Sequence, residues 1–393
     1  MSVQDDLRRF VAVAEEVGRS LAADVLERDR TGSDPLPQLD LLRESGLTTL
    51  LAPSEYGGQG ATWSTAVRVI RALARTDASV AQVLAYHYVN ESNAGFAATP
   101  EAGERWYRAS AANRWIWGDS VNPTDPDLAF EPAPGGWTLR GTKRFSTGAS
   151  AGDVILVSGT VRGGDDDGRG LTVVVERTRA GVAPLGDWDA LGQRQSASGS
   201  VRFDDVAISE SDVLAWAGDE PFGSLFTPAI QLSFGNLYLG IAEGALAQGI
   251  ELVRQRRGSW FLSTAEKYRD DPFTQRIVGD LDARIAAAEA LADRVGDDFD
   301  AVVARGSAVT SEDRGRIAID IARLKIVTNE TALDVANRVF EVTGSSSAKA
   351  STGLDLHWRN IRTHSLHDPV DFKRLEVGAY VLNGENQPIS LYT

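Results

Sequence analysis

Histidine is the side chain that most readily exchanges a proton near neutral pH. Three of the four in this chain, His357, His364 and His367, fall inside the short stretch from Leu356 to Asp368. The fourth, His87, stands far away in Ala85-Tyr86-His87-Tyr88. The C-terminal cluster is therefore the leading candidate for acid–base chemistry. Two imidazoles at this spacing also arise when they simply lie one helical turn apart on a polar face. Together with Asp368 they are ligand types that iron or zinc accepts. No third helix signals a carboxylate set, so no metal is expected. With no cysteine, the chain has no disulfide, thiolate metal site or cysteine nucleophile.

A chain of 393 residues is long enough for two or three domains around a large core. Its 42% hydrophobic and 24% charged residues are those of an ordinary globular protein. A net charge of −15 speaks against nucleic acid or an anionic membrane surface as partner. The opening Met1-Ser2-Val3-Gln4-Asp5-Asp6 lacks the basic and apolar regions of a signal peptide. No apolar run approaches the roughly 20 residues of a membrane span. A cytoplasmic protein is expected.

The elements that must position the histidines follow a helix–strand–helix order. Val11, Ala14, Val17, Leu21 and Val25 form a helical stripe within residues 3–30, and 37–46 and 63–113 read as further helical stretches. From about 116 to 213 the period changes. Gly135-Gly136 is a turn signal, and Val154-Ile155-Leu156-Val157 and Leu171-Thr172-Val173-Val174-Val175 are β-branched runs typical of buried strands. Gly163 to Gly168 between them reads as a solvated loop. Three stripes come next: Leu239 to Val253, Ile277 to Phe299, and Ile317 to Val339. They predict a helical bundle, with enough apolar width for subunit packing as well.

Several strings, taken in order, resemble the acyl-CoA dehydrogenase superfamily. Pro53-Ser54-Glu55-Tyr56-Gly57-Gly58-Gln59-Gly60 is similar to its first-domain loop. Gly141-Thr142-Lys143-Arg144-Phe145-Ser146-Thr147-Gly148-Ala149 resembles the strand that lies against the flavin ring. Phe203-Asp204-Asp205-Val206 is similar to the end of the β domain, and Trp358-Arg359-Asn360-Ile361-Arg362 to the segment before the dehydrogenase base. Gly223 to Pro228, Asn236 to Ala242, Val339 to Val342, Trp358 to Pro369 and Asn383-Gly384 resemble the flavin-dependent monooxygenase branch typified by dibenzothiophene monooxygenase. The resemblance implies an α+β fold: an N-terminal α-helical domain over 1–115, a β-barrel domain over 116–215 and a C-terminal four-helix bundle over 216–393. It implies a homotetramer or homodimer that takes reduced FMN, or FAD, from a separate reductase. With O2, such an enzyme oxygenates a small aromatic, sulfur-containing or amine substrate through a flavin C4a-hydroperoxide.

Residue roles are implied the same way. His367 matches the branch's catalytic histidine and His87 a second one. Thr147 matches the residue at flavin N5, and Ser120 stands where relatives carry an asparagine near the flavin. Trp188 resembles an aromatic beside the flavin, and His364 is placed to bond the flavin or orient His367. For the phosphate, Arg257 is nearest a family arginine among Arg254, Arg256 and Arg257. Ser345 and Ser346 stand where relatives have another arginine, and their amides and hydroxyls could cradle a phosphate.

The departures matter equally. No glutamate stands at His367-Asp368, and Gly118-Asp119-Ser120-Val121-Asn122-Pro123 replaces the Thr-Glu-Pro flavin string. An acyl-thioester dehydrogenase using Asp368, and a non-catalytic binding or assembly protein of the same fold, are the alternatives. Neither a GxGxxG string nor a P-loop occurs, so nicotinamide binding on this chain is not expected.

Overall fold

Apolar residues at helical spacing gather the first third of the chain into six helices: α1 Val3–Ala22, α2 Val25–Thr31, α3 Leu36–Glu44, α4 Trp63–Ala74, α5 Ala78–Phe96 and α6 Pro100–Asn113. The computed structural model describes residues 3–123, 125, 127–256, 258–390 and 393. The single helical stretch expected over 63–113 is three helices. Asp77 and Thr99 turn the chain out of the helix and accept from Val80 and Ala102 as N-caps, and Pro100 starts α6 at a position where its missing N–H costs nothing.

Eight strands make up the middle of the chain: β1 Trp117–Ser120, β2 Ala129–Ala133, β3 Gly136–Lys143, β4 Val154–Val161, β5 Gly170–Glu176, β6 Val182–Pro184, β7 Val201–Ser209 and β8 Val213–Trp216. They form one sheet in the order β6-β7-β3-β2-β4-β5-β8, with β1 added parallel to β4. No ladder joins β6 to β8 among the described residues, so the expected barrel is an incompletely closed one. The Pro134-Gly135 turn joins β2 to β3, with Gly135 at φ 82°, the conformation a type II turn demands at its second central residue. Alternation along β4 buries both faces: Ile155 and Val157 join Phe130, Leu139 and Phe203, whereas Val154 and Leu156 meet Trp106 and Trp117.

The last third contains α7 Phe226–Gln255, α8 Pro272–Val303, α9 Ser311–Thr343, α10 Asp355–His364 and α11 Val370–Asn383. The predicted stripes are core: Leu281, Ala288, Val295 and Phe299 of α8 and Ile321, Leu324, Val335 and Val339 of α9 are buried. One continuous apolar cluster runs from Phe10 through α4 and α5 into α7, α8 and α9. Asp300 of α8 also caps α4, accepting from the backbone N–H groups of Trp63 at 2.7 Å and Ser64 at 3.1 Å. The N-terminal helices and the bundle are thus packed as one body, with the sheet against α5 and α6. Among the described residues no helix is long and apolar enough to cross a membrane.

Candidate active site

The turn between α10 and α11 carries His367 and Asp368, and Pro369 is the N-cap of α11. Helix α10 ends at His364, whose carbonyl accepts from the His367 N–H at 3.0 Å. The two imidazoles stack, with centroids 5.8 Å apart and planes within 9° of parallel. Both also meet Phe234 of α7, at 4.6 Å for His364 and 5.0 Å for His367.

His367 keeps 35% of its side chain exposed, and its Nδ1 lies 3.3 Å from Asp368 Oδ1. The same oxygen accepts from Lys325 of α9, which also donates to Gln231 Oε1 at 2.6 Å. Burial pushes the Asp368 carboxyl up, but the His367 hydrogen bond and the Lys325 charge outweigh it and hold the group well below the carboxylate range. Burial pulls the Lys325 ammonium down, against the attraction of Asp368. His364 is buried, with Nδ1 3.0 Å from the Tyr238 hydroxyl and Nε2 without a protein partner among the described residues. Burial, then the charges of His367 and Lys325, holds its imidazole well below its usual pKa, so it is neutral.

Tyr86 links this group to the sheet. Its ring packs 5.7 Å from Phe234, and its hydroxyl lies beside the Thr147 side chain. Burial, then the nearby Asp119 carboxyl, pushes the Tyr86 phenol well above its ordinary value. The Thr147 hydroxyl also accepts from Gln82 Nε2 at 3.2 Å and lies 2.9 Å from Ser198 Oγ. Ser198 meets Ser196, which donates to the Gln193 carbonyl at 2.8 Å. The loop then docks on α10: Gly192 N–H donates to Thr363 Oγ1 at 2.8 Å and Gln193 N–H to Asn360 Oδ1 at 2.7 Å. Thr147 and the histidines are therefore tied together twice, through Tyr86 and through the loop over 192–198.

The other expected residues are placed unequally. Ser120 ends β1, fully buried, with its hydroxyl 2.8 Å from Ser146 Oγ. Trp188 donates to the Gln193 carbonyl at 2.8 Å, stands edge-on to Phe145, and lines a cavity of about 240 Å³ with Ser150, Arg194 and Gly199. His87 is not brought to the cluster. Its Nε2 lies 2.6 Å from the Thr48 carbonyl, its Nδ1 accepts from Trp117 N–H at 3.3 Å, and burial pulls it down to about 4. Ser345 and Ser346 are exposed at the far end of the bundle, beside Arg256, whose Nη1 donates to the Thr343 carbonyl at 3.3 Å. Arg257 lies outside the described residues.

Sequence reasoning missed Tyr86, Phe234, Tyr238, Gln82, Asp119 and Lys325. A lysine inside the apolar stripe of α9 was the one visible signal, because a buried cation demands a partner. Gln82 Oε1 and Asp119 Oδ1, on residues bonded to Thr147, and Gln193 Nε2, on the loop, are buried without protein partners among the described residues. Burial pushes the Asp119 carboxyl up to about 8, against the hydrogen bond it accepts from the Thr147 backbone.

Known proteins resemble this chain along almost its whole length. The N-terminal, middle and C-terminal domain profiles of the acyl-CoA dehydrogenase family match residues 3–113, 120–206 and 232–372. The chain is 34% identical to the probable FMNH2-dependent monooxygenase SfnC of Pseudomonas putida over 98% of both chains. It is 37% identical to the dibenzothiophene monooxygenase of Mycolicibacterium goodii, over 98% of this chain and 95% of that one. The crystal structure of FMN-bound TdsC from Paenibacillus sp. A11-2 superposes with a TM-score of 0.94 at 35% identity, over 98% of this chain and 100% of that one. The chain belongs to the acyl-CoA dehydrogenase family, in the branch of its flavin-dependent monooxygenases.

Proposed function

We propose that this chain is the oxygenase of a two-component FMNH2-dependent monooxygenase acting on a small aromatic, sulfur-containing or amine substrate. One observation carries the reading: an imidazole, His367, is presented where a dehydrogenase of this fold needs a free carboxylate. The acid beside it, Asp368, is held by Lys325 and His367. A carboxylate ion-paired and depressed in this way is a poor base for an α-proton, which disfavours thioester dehydrogenation.

The unpartnered atoms of Gln82 and Gln193 fit a flavin. Gln193 Nε2 is a donor and Gln82 Oε1 an acceptor, matching the alternating carbonyl and N–H groups of the ring's edge. In this reading Thr147, Ser120 and Trp188 hold the ring. Bound reduced flavin supplies the electrons that activate O2. Thr147 and Tyr86 keep hydroxyls beside the ring, Phe234 and Tyr238 exclude water, and His367 exchanges a proton at Nε2 with substrate or oxygen.

The phosphate contacts point to a homo-oligomer, a dimer or tetramer. Arg256, Ser345 and Ser346 lie near the end of α7, and from Phe234 to Gln255 that helix spans roughly 30 Å. One FMN cannot touch both groups within a single chain. We assign Ser345, Ser346 and Arg257 to the phosphate of a flavin whose ring lies on a second copy. A separate reductase is the electron source in this reading, and the cytoplasm its location.

The test is to mix the anaerobic FMNH2 complex with oxygenated buffer. We expect a transient absorbance belonging to neither reduced nor oxidised flavin, and no dye reduction by acyl-CoA. With an accepted substrate, His367→Ala lowers turnover by about 10²–10⁴-fold while the oligomer persists. Dye reduction by an acyl-CoA without any transient sinks the proposal.

A further inference from the structure

We propose that Lys325 is a positioning residue for the acid–base histidine: by fixing Asp368 it sets the tautomer and the proton affinity of His367. The inference rests on the reading that His367 acts at the flavin, and it concerns a residue of α9 that reaches the histidine through Asp368.

Lys325 is 1% exposed, on a face of α9 next to the buried Leu324. A pair that only joined α9 to the turn before α11 could leave the histidine out. Here a single carboxylate oxygen, Asp368 Oδ1, takes both Lys325 Nζ and His367 Nδ1. Lys325 is itself held by Gln231 at 2.6 Å and lies 5.6 Å over the Phe234 ring, the ring that both imidazoles pack against. With Asp368 anchored, its oxygen accepts the Nδ1 proton, which leaves Nε2 as the nitrogen that gains or loses a proton. This is how a carboxylate orients a catalytic imidazole. The lysine adds a second effect. Its positive charge cancels part of the Asp368 field at the imidazole.

Charged and titratable groups face this arrangement from every neighbouring element. Asp368 and His364 come from α10 and its turn, Lys325 from α9, Tyr238 from α7 and Tyr86 from α5. Lys373 and Glu376 of α11 act on Lys325 with opposite signs. Asp368 is the carboxylate in contact with the His367 imidazole, and Lys325 is the cation bonded to that carboxylate.

That opposition gives a readout that simple loss of packing does not mimic. Removing the lysine leaves the Asp368 charge to His367 alone, and removing the carboxylate leaves only the lysine. The experiment follows imidazole NMR titrations of the full-length, flavin-free protein, which has four histidines. Burial pulls His87 and His357 to about 4 and His364 well down, and His367→Gln assigns the remaining resonance. We expect Lys325→Met to raise the His367 midpoint by about one pH unit and Asp368→Asn to lower it by a similar amount. If Asp368→Asn does not fold, the double variant with Lys325→Met, which buries no unpaired charge, takes its place, with a midpoint below that of Lys325→Met. An unchanged midpoint in Lys325→Met, shifts of the same sign in the two single variants, or a double variant matching Lys325→Met overturns the inference. Undiminished turnover in His367→Ala sinks the functional reading and leaves this titration standing.

Discussion

Tyr86 occupies the place that the sequence suggested for His87. Helix α5 turns about 100° per residue, so adjacent side chains cannot face the same group. Tyr86 meets Phe234 and Thr147, whereas His87 turns to Thr48 and Trp117. Periodicity could not choose between them, because α5 is buried all round from Ala78 to Ala94 and has no polar face to orient it. Tyr86→Phe keeps the packing and removes the hydroxyl between Thr147 and the histidines. We expect turnover to fall by about 10–100-fold with an unchanged unfolding midpoint; equal loss in His87→Phe would contradict the assignment. Glu91, one turn further along α5, offers a pH test. Burial pushes its carboxyl from 4.5 to about 8, against a hydrogen bond from Ser110, and Oε2 has no partner among the described residues. A carboxyl with a raised folded pKa stabilises the fold fully below about 4.5, and the contribution is lost as pH rises through about 8. Glu91→Gln should therefore raise the thermal midpoint at pH 8.5, with the gain vanishing towards pH 4.5. A gain independent of pH contradicts a neutral buried acid.

At the scale of elements, the site depends on a loop without regular structure. Residues 192–198 connect Thr147 to α10, and Gly192 lies so close to it that an added Cβ would stand 2.2 Å from the Arg359 backbone. Gly192→Ala must push the loop off α10 and break the Thr363 and Asn360 hydrogen bonds. We expect a loss of about 2–4 kcal/mol in stability and weakened FMN binding in equilibrium titrations. Parental affinity in a folded Gly192→Ala protein would remove the loop from the site. The strands and bundle helices were legible because period 2 and period 3.6 differ over a few residues. The breaks at Asp77 and Thr99 were written in the chain as capping residues, yet the long apolar stretch masked them. The 192–198 loop left no periodic trace, since side-chain hydrogen bonds rather than a buried stripe fix its path.

For the whole molecule, one core joins the N-terminal helices to the bundle, and the phosphate-binding candidates lie roughly 30 Å from the histidines by helix rise. A site shared between copies predicts complementation. The Ser345→Asp, Ser346→Asp double variant sets two carboxylates against the phosphate on exposed residues, and His367→Ala removes the imidazole. Each should be inactive at limiting FMNH2. Coexpressed in equal amounts, they should regain about a quarter of parental turnover, because random pairing restores that fraction of mixed sites. Activity no higher than either variant alone would place both functions within one chain.

The sequence by itself determined the helix–strand–helix order, the family and the prominence of His364 and His367, because local periodicity and short contiguous strings carry that information. Only the tertiary structure decided which residue of α5 faces the site, how the loop over 192–198 binds α10, and that Lys325 meets Asp368 across 43 positions of chain. The physical reason is that a buried charge or hydroxyl takes its role from its partner, and the partner is chosen by packing rather than by neighbouring sequence.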